Sequence, residues 1–113
     1  MGEPVVHWQI LSQDPDTLTD FYTSLFDWRS AKDPNGGYTY VHTNTNEGIS
    51  GGISRYEGYG GVTFYVRVDD LDAYLVKVAE LGGEVQMPPT VAGDVRLAVF
   101  ADPRGNSVGL IEA

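Results

Sequence analysis

The 113-residue chain has no cysteine, which excludes disulfides, thiolate metal ligands and a cysteine nucleophile. It is also poor in positive charge: seven Lys and Arg against sixteen Asp and Glu give a formal charge of -9. Without a basic patch there is nothing to release counterions from a phosphate backbone or to hold an anionic lipid surface, so nucleic acid and membrane are set aside as partners. The same acidity slightly favours a cationic ligand. No apolar run approaches the roughly 20 residues that span a bilayer. The opening "MGEPVVHWQIL" has no basic segment leading into an apolar one, and the expectation is a soluble, cytoplasmic protein. What is present, 42% hydrophobic residues including two Trp, four Phe and seven Tyr, suffices for one domain with a modest core.

Periodicity divides that domain in two. "VVHWQIL" alternates, with Val6, Trp8 and Ile10 on one face and Val5, His7, Gln9 and Leu11 on the other, as a strand does. "DPDTLTDFYTSLFDW" then changes period: Leu18, Phe21, Tyr22, Leu25 and Phe26 form a helical stripe, with Asp14 or Asp16 as cap beside Pro15. The turn "DPNGG" leads to "YTYVHTN" and "GISGGIS", two strand-like pieces joined by "NTNEG". The pattern then begins again. "GVTFYVRVDD" alternates, Asp69 or Asp70 caps a helix carrying Leu71, Tyr74, Leu75 and Val78, and Gly82 and Gly83 end it. "EVQMPP", "VRLAVFA", the turn "DPRGN" and "SVGLIEA" complete the second half.

Each half reads as strand, helix and about three strands, a repeat of about 56 residues. The predicted class is α+β: two βαβββ modules, 1–56 and 60–113, each covering one sheet face with its helix and together forming a half-open barrel cleft. Sending Trp8 and its apolar neighbours to the first helix leaves His7 and Gln9 for the cleft. Sending Val62, Phe64 and Val66 to the second leaves Thr63, Tyr65 and Arg67. In the last strand Val108 and Leu110 turn inward, so Ser107, Gly109 and Ile111 face the cleft.

These stretches, "VVHWQILSQDPDTLTDFYTSLFDW", "VTFYVRVDDLDAYLVKVAELGGEV" and "ADPRGNSVGLIEA", resemble the vicinal oxygen chelate superfamily of glyoxalases, bleomycin-resistance proteins and extradiol dioxygenases. The resemblance implies paired βαβββ modules, a ligand cleft and a homodimer. It also implies a divalent metal held by one His or Glu from each of four strands, a set whose hard donors suit Lewis-acid chemistry. Carried onto this chain, the first-strand ligand falls on His7, the fifth-strand ligand on Thr63, the eighth-strand Glu on Gly109, and the fourth-strand ligand on Gly51 or Gly52. Three of these four positions lack a carboxylate or imidazole. His7 and Glu112 remain as metal candidates, but alternation points Glu112 to the face opposite Gly109. The expectation is therefore no cofactor, with a divalent metal unsupported at the usual positions.

The residues left to contact a ligand are His7, Gln9, Tyr38, Tyr40, His42, Thr63, Tyr65, Arg67 and Gly109. Aromatic walls with a few hydrogen-bonding groups suit a small molecule. Gly51, Gly52 and Gly109 have two readings, close backbone approaches in twisted strands or volume vacated for an organic ligand. Tyr56 and Tyr59, in the connector "SRYEGYGG", read as a lid or as exposed rings on a linker. Two functions follow. One is metal-free binding or sequestration of a small organic molecule, as in bleomycin resistance. The other is a glyoxalase-like or dioxygenase-like enzyme, a lyase, isomerase or oxidoreductase, with His7 as metal ligand or general base.

Overall fold

A computed structural model describes residues 2–58 and 60–112, so Tyr59 of the connector lies outside the described residues. Eight strands and two helices form a mixed α+β fold, and the chain divides into two compact units. One comprises residues 7–62; the other joins residues 2–6 to residues 63–112.

The first unit holds β1 (Val5–Ser12, whose first two residues group with the other unit), α1 (Pro15–Phe26), β2 (Arg29–Lys32), β3 (Tyr38–His42) and β4 (Gly51–Arg55). Asp14 caps α1, its carboxylate accepting the Thr17 N–H at 3.3 Å, while Pro15 occupies the first turn, where no intrahelical donor is needed. The strands lie in the order β2-β3-β4-β1, with β1 and β4 parallel and the other pairs antiparallel. Trp8 and Ile10 go to the helix side, as alternation predicts. Ile10, Val41 and Ile53 form the buried core, with Trp8, Leu18, Tyr22 and Trp28 packed against it. The predicted helical stripe is only half buried: Phe21, Leu25 and Phe26 are more than 50% exposed. The row through Pro15, Leu18, Thr19 and Tyr22 faces the sheet instead. Thr19 tolerates burial because its hydroxyl donates to the Pro15 carbonyl at 2.8 Å.

The second unit holds β5 (Gly61–Val68, entering from the connector), α2 (Leu71–Glu80), β6 (Glu84–Ala92), β7 (Val95–Ala101) and β8 (Ser107–Glu112), ordered β5-β8-β7-β6 with β5 and β8 parallel. Asp70 caps α2 through the Ala73 N–H at 3.1 Å, and Gly82 follows its end in the left-handed region at φ 97°. Val68, Leu71, Leu75, Ala98 and Leu110 form the core, with Val66 alongside. The prediction that Val62 and Phe64 also go to the helix is not met; they are 74% and 42% exposed. Eight strand residues reach about 26 Å, whereas the ten residues of α2 reach about 15 Å, so the helix covers only the later part of β5. Residues 2–6 join this unit because the Pro4 carbonyl accepts the Arg67 N–H at 2.9 Å and Glu3 accepts the Tyr74 hydroxyl at 2.8 Å.

Glu112 lies on the α2 side of β8, as its alternation requires. It is not a solvated terminal carboxylate: one oxygen accepts the Leu71 N–H at 2.9 Å and the other accepts Arg96 at 3.0 Å. These bonds, the Leu71 N–H first and Arg96 next, hold its carboxyl below the ordinary value of 4.5. Because the folded pKa lies below the unfolded one, the resulting stability is fully present above about pH 4.5 and disappears as pH falls through the lower folded value. Glu112→Gln is expected to lower the thermal midpoint at neutral pH and to flatten its acid-side decline. An unchanged midpoint at pH 7 would mean that the clasp contributes nothing.

Candidate functional site

In the first unit alternation delivers His7, Gln9, Tyr38, Tyr40 and His42 to the face of the sheet turned away from α1. The Cα register pairs Gln9 with Gly52 and Gly52 with Tyr40, which aligns these side chains across three strands. His7 Nε2 and the Tyr38 hydroxyl share a hydrogen bond of 2.6 Å, and the Tyr38 and Tyr40 rings meet edge to face at 4.9 Å. Burial pushes the His7 pKa below its ordinary 6.5, which favours the neutral imidazole. A cavity of about 640 Å³ opens beside this pair, lined by His7, Tyr40 and His42 and by Arg29 and Ser30 of β2. This volume falls in the range of small-molecule sites.

Arg29 was not foreseen from the sequence. β2 is four exposed residues, "RSAK", with no alternation to mark it. Only its register, Arg29 opposite His42, brings the guanidinium to the cavity. A short exposed strand leaves no hydrophobic signal from which the residue could have been found.

The remaining predicted site residues belong to the second unit. Thr63 spends its hydroxyl on the Ser107 carbonyl at 2.7 Å. Tyr65 is buried, 8% exposed, with its phenol pushed above the ordinary 10.0 by desolvation, and its ring lies over Gly109. Arg67 is exposed. Gly109, proposed from the sequence as a ligand contact, is buried, with the Tyr65 ring where its side chain would stand.

The three glycines at the family's ligand positions follow one rule. A β-carbon on Gly109 would strike the Tyr65 ring, one on Gly52 would strike the Tyr38 ring and hydroxyl, and one on Gly51 would strike the Trp8 ring and carbonyl. The space is filled by aromatic neighbours, so these are close approaches and not volume left for a ligand. Gly52 shares the His7 face, whereas Gly51 faces Trp8 on the helix side. Among the described residues no three His, Asp or Glu side chains are grouped to hold a metal ion. With Thr63 committed to the strand and the glycines covered, the donor set does not fit the family's four-residue metal site.

Eight strands in two βαβββ units, each with a parallel pair closing its sheet, define a glyoxalase-like domain. The chain belongs to the Glyoxalase/Bleomycin resistance protein/Dioxygenase superfamily, whose family model matches residues 5–110. It is 36% identical over 109 residues to the candidate glyoxylase CFP32 of Mycobacterium tuberculosis, a match covering 88% of this chain and 42% of that protein. It is 38% identical over 116 residues to the anthracycline biosynthesis protein DnrV of Streptomyces peucetius, covering 83% and 41%. The chain thus spans about two fifths of the length of these curated relatives. Among solved structures, a superfamily member from Vibrio splendidus 12B01 shares the fold at a TM-score of 0.70 and 14% identity, covering 99% of this chain and all of that one. Methylmalonyl-CoA epimerase from Mycobacterium tuberculosis shares it at 0.68 and 15%, covering 96% and 86%. Among the described residues no helix is long and apolar enough to cross a membrane.

Proposed function

We propose that this domain binds a small organic molecule in the cavity beside His7 and Tyr38, without holding it on the superfamily's metal. The observation that carries this reading is the 2.6 Å His7–Tyr38 bond at the edge of a 640 Å³ cavity with a tyrosine wall. A half-buried imidazole whose pKa burial lowers, bonded to a phenol beside a cavity, is the kind of perturbed group that clusters at functional sites. Sequestration needs nothing more than such binding. The same pair supports the second reading, an enzyme in which His7 takes up a proton from a bound substrate and Tyr38 orients the ring. The resemblance also carries the expectation of a homodimer.

The test is a metal titration joined to a ligand screen. The purified protein is expected to bind Ni, Zn, Mn and Fe(II) weakly and without fixed stoichiometry. Tight one-to-one binding that disappears in His7→Ala would overturn the metal-free reading. A ligand at 100 times its dissociation constant should stabilise the fold by about 2.7 kcal/mol. That stabilisation is expected to fall in His7→Ala, and turnover of a screened compound that vanishes in the same variant would select the enzyme reading over sequestration.

A further inference from the structure

The cavity beside His7 contradicts the charge of the chain around it. Sixteen acidic residues against seven basic ones leave the protein at -9, yet no Asp or Glu lines this cavity, whereas Arg29, His7 and His42 do. Arg29, like Arg67 and Arg104, has no carboxylate within ion-pairing distance among the described residues, and of these three it alone lines the cavity. Next to it in the register, His42 accepts the Asn44 backbone N–H on Nδ1 at 2.9 Å, which places its ring proton on Nε2 and makes that nitrogen a donor. Arg29 and His42 together thus offer donors with no acceptor among the described residues to satisfy them.

We propose that the ligand of this cavity is an organic anion, an aromatic or similarly flat carboxylate. Its oxygens pair with Arg29 and with His42 Nε2–H, and its ring lies against Tyr40. The inference rests on the cavity being the binding site and adds the charge and shape of what it takes. It also reverses the preference for a cation that net charge alone suggests. A charge in contact with the ligand is screened far less than charges spread over the surface, and the only permanent charge lining the cavity is the Arg29 guanidinium. An arginine fork matches a carboxylate in two parallel hydrogen bonds, which a neutral isostere cannot reproduce.

Calorimetric titration of 2-naphthoate, 2-naphthamide and 2-naphthylmethylammonium into the full chain separates the possibilities. The carboxylate is expected to bind about tenfold or more tightly than the other two, since charge-assisted bonds exceed neutral ones by at least that factor. Arg29→Gln should bring the carboxylate-to-amide affinity ratio close to one, the carboxylate losing far more than the amide, and should leave the unfolding midpoint unchanged because Arg29 is exposed. Arg29→Lys should retain part of it. A preference for the ammonium, or a carboxylate-to-amide ratio unaltered by Arg29→Gln, overturns the anion assignment and leaves the cavity as binding site intact. No binding by any of the three at millimolar concentration overturns both.

Discussion

Gly109→Glu, which returns the superfamily's carboxylate to β8, is expected to destabilise the domain by about 3 kcal/mol and to recruit no metal. The new β-carbon falls against the base and flank of the Tyr65 ring, where a change of rotamer gives little relief. Tyr65 is only 8% exposed, so the ring has no solvent to swing into without opening the core. The carboxylate would then be buried in a place that already disfavours the ionised phenol, adding a desolvation cost to the steric one. Denaturant unfolding of Gly109→Ala, Gly109→Glu and the double variant Gly109→Glu with Tyr65→Ala measures the two contributions. Most of the loss should be recovered in the double variant, because the two sites are in contact and their effects are not additive. A Gly109→Glu protein as stable as the parent, or one that binds Zn or Ni stoichiometrically, would refute this account. Gly52→Ala is the milder counterpart. There the added carbon meets the hydroxyl end of Tyr38, which moves away at the expense of its bond to His7.

Ile53→Ala carries the other large effect, an expected loss of about 2–5 kcal/mol. Ile53 is fully buried, and with Ile10 and Val41 it makes up the buried core of the first unit. So small a core cannot close over the cavity left by three missing carbons, particularly with the rigid rings of Trp8, Tyr22 and Trp28 around it. Against a total stability of about 5–15 kcal/mol this is a large fraction. Ile53 also adjoins Gly52, the platform beneath Tyr38, so the His7–Tyr38 geometry depends on the same strand. Ile53→Val should cost about 1 kcal/mol and spare ligand binding. An Ile53→Ala midpoint within 0.5 kcal/mol of the parent, on the order of a surface substitution, would contradict this.

What could be read from the sequence was what local chemistry decides. Asp14 and Asp70 cap their helices because a short acceptor before a helical period has one use, and Trp8 and Ile10 face α1 because alternation leaves them no other side. The same alternation grouped His7 with Gln9 on one strand face and Tyr38, Tyr40 and His42 on another, and the register of β1, β4 and β3 makes the two faces one. Alternation could not supply quantities that depend on long-range geometry. The length of α2 leaves Val62 and Phe64 uncovered, the pairing of β2 with β3 brings Arg29 to the cavity, and the approach of β8 to the start of α2 turns Glu112 into a clasp. The glycines were the subtlest case. Their lack of a side chain was visible, but the rings that occupy the space come from other strands, Tyr38 two residues out of register and Tyr65 directly opposite.

Those rings also bear on how this chain can change. At Gly52 and at Gly109 the side chain that a metal site requires and the tyrosine now present exclude one another. A single substitution at either glycine collides with a ring, and removing either ring alone opens a hole over bare backbone. The metal-binding arrangement is therefore at least two simultaneous changes away at each strand, with both intermediates less stable than the present protein. The glycine and tyrosine pairs act as a ratchet against a carboxylate or imidazole at these two positions.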